Sequence, residues 1–209
     1  MNKQSIASHI LQTAAQTKQR YIVAVAGAPA SGKSTLAEQL EQVINQQQGE
    51  AISMVVPMDG FHLDNHTLDE MNLRHRKGAP ETFDSKGFVN LIQQLKTASD
   101  TVAIPLFDRE QDAVIPKARN VDPRHKILLV EGNYLLLDIA PWLELAGLFD
   151  DKIFLNPGLE VLEQRLIQRW LDHGYDTAGA RERALSNDIP NARFVLEHSV
   201  IDEQTQVLT

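Results

Sequence analysis

The sequence predicts an α/β fold in which a parallel β-sheet is doubly wound, with helices on both of its faces. Compact apolar runs alternate along the chain with stretches of helical periodicity, which is the pattern of successive βα units. No internal repeat and no low-complexity linker interrupts this alternation. A length of 209 residues suits one domain with a sizeable core. We therefore expect residues 1–209 to form a single domain.

Four apolar runs are the predicted strands of this sheet. They cover residues 21–26, 51–58, 126–130 and 153–155. The third is a compact, uninterrupted run of the kind that parallel sheets bury on both faces. A shorter run at 102–106 leads into a proline-punctuated segment that ends near Arg124.

Four segments carry apolar residues at spacings of three and four, which predicts amphipathic helices. Their apolar faces begin near residues 6, 36, 88 and 159. The first helix is expected to pack against the domain. Asp84 or Ser85 is the predicted N-cap of the third helix, because a short polar side chain there can accept a backbone N–H of the first turn.

Composition excludes several classes of protein. The net charge of −8 argues against a nucleic-acid partner, because duplex binding usually needs a basic face. The chain has no cysteine, which excludes a disulfide framework, cysteine-ligated zinc and a thiol nucleophile. No apolar stretch approaches the roughly 18 residues of a membrane span, and residues 1–20 lack the apolar core of a signal peptide. A cytoplasmic protein without membrane insertion is therefore expected.

The segment from Gly27 to Ser34 reads G-x-x-x-x-G-K-S and stands between a predicted strand and a predicted helix, which is the context of a phosphate-binding loop. Its glycines let backbone N–H groups and the helix N-terminus point at a polyphosphate. Lys33 is expected to reach the β and γ phosphates, and the Ser34 hydroxyl to bind the accompanying Mg²⁺. The predicted nucleotide-binding residues are Gly27, Ala28, Pro29, Ala30, Ser31, Gly32, Lys33, Ser34 and Thr35.

Two acidic residues end apolar runs: Asp59 ends the second run, and Glu131 ends the third. Ligands of parallel sheets sit beyond the carboxyl ends of the strands, so both carboxylates are expected at the triphosphate. An acid after a strand is often only a cap or turn former, but beside a phosphate loop it commonly supports Mg²⁺ or accepts a hydroxyl proton. We assign Glu131 to the metal with Ser34, and Asp59 to the base, with the alternative that both contact the metal shell.

Four motifs, in their order along the chain, resemble one group of kinases. They are Gly-Ala-Pro-Ala-Ser-Gly-Lys-Ser-Thr from residue 27, Met-Asp-Gly-Phe-His from 58, Arg-Lys-Gly-Ala-Pro-Glu-Thr-Phe-Asp from 76 and Val-Glu-Gly-Asn-Tyr from 130. Over residues 21–191 the chain resembles the P-loop kinases of the uridine kinase, phosphoribulokinase and bacterial pantothenate kinase superfamily. Within it, the chain looks most like bacterial fructose transport system kinases or pantothenate kinase-like proteins. The resemblance implies a P-loop kinase fold with a helical lid. The resemblance also implies a homo-oligomer, either a dimer or a tetramer, as one expected state of the protein.

The resemblance also implies roles for single residues. It implies that Asp59 is the general base, that Glu131 is the metal-linked acid, and that Asp84 contacts the phosphate acceptor. His62 lies close to Asp59 in the chain and is expected to contact the acceptor as well. Arg76 has two interpretations, either in the acceptor pocket or in a solvated charge run.

The family closes an arginine-bearing lid over the phosphates, and the corresponding region here is about residues 165–190. Arg165 and Arg169 lie one helical turn apart, so both can lean over the same site. Arg169 is our catalytic candidate, because a lid arginine neutralises charge during phosphoryl transfer. Arg181 and Arg183 lie in the same region, and the sequence does not separate their roles.

These residues predict an ATP-dependent kinase, with ATP and Mg²⁺, that moves the γ-phosphoryl group to a hydroxyl of a sugar, nucleoside or pantothenate-like alcohol. The alternative is a nucleotide-binding regulatory ATPase, associated with a transport system, that has no small-molecule acceptor. A GTP-dependent switch is disfavoured, because the chain has no Asn-Lys-x-Asp guanine signature. Asp59 separates the kinase from the regulator, since a regulator would tolerate the loss of this carboxylate.

Overall fold

The computed structural model describes residues 2–209. The helices are α1 (Lys3–Ala14), α2 (Lys33–Gln48), α3 (Asn65–Glu70), α4 (Ser85–Thr97), α5 (Leu159–Asp172), α6 (Thr177–Arg183) and α7 (Ile189–His198). The strands are β1 (Tyr21–Gly27), β2 (Ser53–Pro57), β3 (Val102–Asp108), β4 (Ala113–Val121), β5 (Ile127–Gly132), β6 (Asp151–Leu155) and β7 (Thr205–Leu208). A turn of π-helix, Ala184–Asp188, joins α6 to α7. No helix within residues 2–209 is long and apolar enough to cross a membrane.

Five strands form one parallel sheet in the order β2-β5-β1-β6-β7. The register pairs Ala26 of β1 with Gly132 of β5, and Pro57 of β2 with Glu131 of β5. The carboxyl ends of three neighbouring strands therefore lie at one edge of the sheet, above which the first βα loop begins. The predicted α/β fold with a doubly wound parallel sheet is confirmed.

Each face of the sheet has its own apolar core, which explains why β1 is buried at all seven positions. Ile22, Ala24 and Ala26 of β1 belong to a core that also takes in buried residues of α4, α5 and α7. Val23 and Val25 point to the other face, where they join buried residues of α1 and α2. Successive side chains alternate between the faces of a strand, so a strand covered on both sides reads as a continuous apolar run.

The predicted first helix is present as α1, and it packs on α2. Asn2 caps it, because its side-chain oxygen accepts the Ser5 N–H at 2.9 Å. Ile6, Ala7 and Ile10 are the buried residues of the helix. Their spacing of one, three and four places them on one face, as the apolar pattern of the sequence predicts.

Two elements differ from the sequence-based expectation. Strands β3 and β4 pair with each other as an antiparallel hairpin outside the main sheet. Most of β4 is exposed, so the proline-punctuated segment lacks the apolar run by which a buried strand is recognised. The main sheet also has an unpredicted fifth strand, β7, which pairs only with β6. With four residues at the edge of the sheet, it is too short to leave a periodic signal.

The buried Arg20 directly precedes β1. It joins three segments at the end of the domain that lies opposite the phosphate loop. Arg20 is 6% exposed, and its guanidinium group donates to three backbone carbonyls, those of Leu95, Asp122 and His125, at 2.8 to 3.2 Å. Leu95 lies in the last turn of α4, where the carbonyl groups have no partner within the helix. One side chain therefore joins α4, the loop before β5 and β1.

We expect Arg20→Leu to lower the free energy of unfolding by about 2 to 4 kcal/mol, because it removes charged hydrogen bonds and leaves buried carbonyls unpaired. Urea denaturation followed by circular dichroism measures the change. The exposed Lys18 provides a matched control, and Lys18→Leu should stay within about 0.5 kcal/mol of the parent. Equal losses for the two variants would contradict the role given to Arg20.

Candidate active site

The loop between β1 and α2 has the geometry of an anion site. Gly32 caps α2 with φ +98°, a backbone conformation that disfavours every residue with a Cβ atom. Helix α2 then runs for 16 residues, and its first N–H groups have no intrahelical acceptor. The partial positive charge at this helix terminus favours a phosphate. Backbone and side chains of the loop therefore face the same space as Lys33, the first residue of α2.

A charged cluster forms where Lys33 meets the strand ends. Burial lowers the pKa of Lys33, and the carboxylates of Glu131 and Asp59 oppose this shift. Glu131 is 6% exposed, and burial raises its pKa against the opposing effect of Lys33. One ammonium and two carboxylates thus interact electrostatically at the edge of the sheet, and phosphate and a divalent cation can share such a mixed cluster of charges.

Ser34 and Glu131 are the residues that fit a magnesium ion. The Ser34 hydroxyl donates to Glu131 Oε2 at 3.0 Å, so the two oxygen groups already lie together. Mg²⁺ prefers hard oxygen ligands and is usually bound by one or two protein groups together with substrate phosphates and water. Within residues 2–209, no group of three or more His, Cys, Asp or Glu side chains could hold a metal ion. The pair therefore suits a metal that arrives with a polyphosphate.

Asp59 lies in a short 3-10 turn directly after β2. Its Oδ2 accepts a hydrogen bond from Arg109 Nη2 at 3.0 Å, and its side chain is 27% exposed. The turn packs closely on β3, because a Cβ atom on Gly60 would lie 2.5 Å from the Pro105 carbonyl oxygen. This contact explains why a glycine follows Asp59, and it brings Arg109, just beyond β3, over the carboxylate.

His62 is held at the side of Asp59. Its Nδ1 lies 2.8 Å from the Asp59 carbonyl oxygen. Its ring lies between those of Phe83 and Phe107, with centroid distances of 4.1 and 4.5 Å. Burial lowers the pKa of His62, and Asp59 opposes this shift. The imidazole is therefore neutral at pH 7.

The cavity over these residues has a volume of about 1000 Å³. It has two halves. The loop half is lined by Pro29, Ala30, Gly32, Lys33, Ser34, Thr35, Arg165, Arg169, Trp170, His173, Arg183 and Asp188. The Asp59 half is lined by Asp59, His62, Arg74, Lys77, Gly78, Phe83, Phe107, Arg109, Asp112, Asn133 and Asn191. Of the residues singled out in the sequence, Lys33, Ser34, Asp59, His62 and Arg169 thus meet at one cavity, with Glu131 bonded to Ser34.

Two predicted acceptor contacts, Asp84 and Arg76, do not line this cavity, and the structure gives each a different partner. Asp84 caps α4, with its Oδ1 accepting the Gly87 N–H at 2.9 Å. A helix start needs such an acceptor, so Asp84 is the N-cap of α4, and its contact with a phosphate acceptor stays a prediction. Arg76 pairs with Glu81 at 2.6 Å and borders a separate, smaller cavity of about 570 Å³.

The arginines of the predicted lid region separate into different environments. Arg165 donates through Nη1 to the carbonyls of Ala30 and Ser31, both at 3.1 Å, so it binds the loop backbone. Arg169 lines the loop half of the cavity, whereas Arg181 does not. Arg183 stacks on Trp170, with 5.1 Å from its guanidinium carbon to the ring centroid. The structure therefore separates Arg183 from Arg181, which the sequence could not.

Sequence reasoning missed a polar contact on the lid side of the cavity. Asp188, in the π-turn, accepts the indole N–H of Trp170 at 2.6 Å, and both residues line the loop half. Two residues of the same stretch extend the network, since Asn191 donates to Asn187 at 3.3 Å and Asn187 donates to the Lys77 carbonyl at 3.0 Å. π-turns inside helices occur frequently at functional sites. The available signal in the sequence was the polar run Asn187-Asp188-Ile189-Pro190-Asn191.

Comparisons with known proteins show what this chain is similar to. The profile of the Phosphoribulokinase / Uridine kinase family matches residues 22–195. The crystal structure of a candidate fructose transport system kinase from Silicibacter sp. TM1040 is 41% identical and superposes over 100% of both chains with a TM-score of 0.92. A candidate uridine kinase of Schizosaccharomyces pombe is 35% identical over 88% of this chain and 81% of its own. Escherichia coli YggC is 36% identical over 87% and 75%, respectively.

Burial raises the pKa of Asp188, against the opposing effects of the Trp170 hydrogen bond and of Arg169 and Arg183. The folded-state pKa of Asp188 therefore lies above its unfolded value, so the ionised carboxylate lowers the stability of the fold. This loss of stability is complete at pH above the folded-state pKa, and it is absent at pH below the unfolded value. We expect Asp188→Asn to unfold at a higher temperature than the parent at pH 8, with the difference shrinking towards pH 4. Thermal melts between these limits test it, and lower stability at pH 8 would contradict it.

Proposed function

The chain belongs to the phosphoribulokinase/uridine kinase family and is a small-molecule kinase, and from this premise we propose that it transfers the γ-phosphoryl group of ATP to a hydroxyl of a small metabolite. One observation carries the proposal: Lys33 and Asp59, from different strand ends, line a single cavity. A nucleotide needs the first residue, and an attacking alcohol needs the second. The cavity, at about 1000 Å³, has the size for two small ligands.

The loop half of the cavity is the proposed nucleotide site. The N–H groups at the start of α2 and the Lys33 ammonium neutralise phosphate charge. Arg169 faces the same space and is the proposed lid arginine, which stabilises charge that develops on the transferred group. Arg165 donates hydrogen bonds to the carbonyls of Ala30 and Ser31 and so stabilises the conformation of the phosphate-binding loop.

Ser34 and Glu131 are the proposed holders of Mg²⁺. When bound, the ion neutralises charge on the β and γ phosphates. Ser34 would provide an oxygen ligand, and Glu131, to which it already donates at 3.0 Å, would orient that ligand or accept from metal-bound water. Ionised Glu131 is balanced by Lys33 across the cluster.

Asp59 is the proposed general base, and its setting suits that role. The acceptor hydroxyl gives its proton to the carboxylate as its oxygen bonds to the γ-phosphorus. The bond from that phosphorus to the β–γ bridging oxygen breaks, and the electron pair leaves with ADP. Arg109 donates to Oδ2 at 3.0 Å, which holds the carboxylate in place. A carboxylate offers about four lone-pair sites, so Arg109 and a hydroxyl can bind at once.

We expect Lys33→Ala to weaken MgATP binding by at least about tenfold, because it removes a charged partner of the phosphates. Isothermal titration calorimetry measures the dissociation constant. Lys18→Ala, at an exposed position outside the cavity, is the matched control and should bind MgATP as the parent does. Unchanged MgATP binding by the Lys33 variant would contradict the assignment of the loop half as the nucleotide site.

We expect Asp59→Asn to bind MgATP as the parent does and to lose acceptor-dependent ADP release by about 10²- to 10⁴-fold, since a general base contributes on that order. The amide oxygen can still accept from Arg109, so the local fold is kept. A coupled ADP assay over a panel of hydroxylated metabolites, with the rate without acceptor measured alongside, provides the readout. Asp100→Asn changes an exposed carboxylate and should match the parent. If Asp59→Asn also matches the parent, Asp59 is not the base.

A further inference from the structure

We propose that Arg109 binds the γ-phosphoryl group of the nucleotide during its transfer, in addition to Arg169 of the lid region. This inference rests on the proposed function, because it adds a catalytic residue to the same phosphoryl transfer. Residues 109–112 join β3 to β4 and are called the hairpin tip below. The side chain of Arg109 lines the same cavity as Lys33 and Asp59, although it lies far from both in the sequence.

The backbone of the hairpin tip is held in place on both sides of Arg109. On one side, Asp108 Oδ1 accepts the N–H group of Glu110 at 2.9 Å. On the other side, Lys77 Nζ donates to Asp112 Oδ1 at 2.7 Å. The hairpin tip therefore presents the Arg109 side chain to the cavity from a fixed position.

The Arg109 guanidinium group has donors left for a ligand. A guanidinium group carries five N–H donors, and the hydrogen bond from Nη2 to Asp59 Oδ2 at 3.0 Å uses one of them. The side chain is 63% exposed, so little packing opposes its rotation towards a bound phosphate. Arginine binds phosphate through two parallel N–H···O bonds. The remaining donors of Arg109 include such a pair, so it can bind a phosphate while it stays beside Asp59.

Arg109 also interacts with the residue that is expected to bind the β and γ phosphates. Burial lowers the pKa of Lys33, and the carboxylates of Glu131 and Asp59 oppose this shift. The charges of Arg109 and Arg169 lower this pKa further, so both guanidinium groups lie within electrostatic range of the ammonium. Three cations, from the phosphate-binding loop, the lid region and the hairpin tip, thus act on the space between Lys33 and the proposed base.

The proposed reaction needs a cation at this place. The carboxylate of Asp59 must approach the hydroxyl that attacks the γ-phosphorus, so two negative groups, the carboxylate and the phosphoryl oxygens, meet at one hydroxyl. Their repulsion opposes the transfer. Arg109 already donates to the carboxylate, and with its free donors it can balance both charges. It neither takes nor gives a proton, because the hydroxyl proton passes to Asp59 and the electron pair of the broken bond leaves with ADP.

MgATP and MgADP differ by the γ-phosphoryl group, so their binding isolates the proposed contact. We expect Arg109→Ala to raise the dissociation constant of MgATP by about tenfold and to leave that of MgADP within about twofold of the parent, because a charged partner of the γ-phosphoryl group is lost. Isothermal titration calorimetry measures both constants. Arg119→Ala, at an exposed position of the same hairpin outside the cavity, is the matched control and should bind both nucleotides as the parent does. Equal weakening of the two nucleotides, or of neither, contradicts the inference.

Removal of Arg109 also leaves the Asp59 carboxylate without its partner, and that charge by itself repels a phosphate. A comparison of Asp59→Asn with the double variant Asp59→Asn/Arg109→Ala eliminates this effect, because the carboxylate is absent from both proteins. If Arg109 contacts the γ-phosphoryl group, the double variant still binds MgATP about tenfold more weakly than Asp59→Asn, with MgADP binding unchanged. Equal MgATP binding by the two proteins means that Arg109 only neutralises Asp59, and it overturns the inference.

Turnover distinguishes this role from binding of the alcohol. The coupled ADP assay is run with D-fructose, uridine and pantothenate. With whichever of these the parent phosphorylates, Arg109→Ala should lower kcat by about 10²-fold or more, since the loss of one transition-state donor has an effect of that size. The KM of the alcohol should stay within about threefold of the parent. A raised KM with an unchanged kcat makes Arg109 a contact of the alcohol and overturns the inference.

The inference and the proposed function fail by different results. If no alcohol is phosphorylated, the proposed function is contradicted, and nucleotide binding by the Arg109 variants still decides whether Arg109 contacts the γ-phosphoryl group. If an alcohol is phosphorylated but Arg109→Ala matches the parent in kcat and in the ratio of the two dissociation constants, the kinase stands and the role of Arg109 is wrong.

Discussion

The register of β2, β5 and β1 is the constraint on which the rest of the structure depends. Pro57 lies beside Glu131, and Glu131 lies beside Val25, in adjacent parallel strands. Asp59, Glu131 and the loop that ends at Lys33 therefore emerge from one edge within a few residues of each other. A slip of one residue in β5 would turn Glu131 to the other face of the sheet, and the charged cluster would lose the group that balances Lys33.

The apolar cores enforce that register. Strand β1 is buried on both faces. Any shift of register would therefore move its side chains against α2 on one face and against α4 or α5 on the other, where the core is already closely packed. The buried charges at the strand ends are unfavourable by themselves, because desolvation opposes ionisation of both Lys33 and Glu131. The packing of the sheet holds them together, so the site is preorganised for an anion and a cation that arrive as a pair.

The sequence predicted the parts of the site that belong to a local motif or follow a strand end, and it missed contacts between segments that are distant in the chain. The loop motif, the apolar runs and the acids at their ends are local signals, so Lys33, Ser34, Asp59 and Glu131 could be placed together. Arg109 was missed as a partner of Asp59, because that contact needs the hairpin of β3 and β4, and β4 is too exposed to show a strand pattern. Asp84 had a capping and a binding interpretation, and only the structure shows the capping hydrogen bond to the Gly87 N–H.

The two halves of the cavity also differ in the elements that build them. The loop half uses a helix terminus and residues fixed by the sheet, and such a site accommodates a triphosphate whatever the acceptor is. The Asp59 half depends on a turn at His62, a loop through Lys77 and a hairpin tip at Asp112. A hydrogen bond within the turn positions His62, and Lys77 is joined to Asp112. Substitutions in these segments can change the pairing of a cation without disturbing the sheet. A motif in the sequence therefore predicts the phosphate-binding loop, whereas only the folded structure shows which side chains of the Asp59 half are paired with one another.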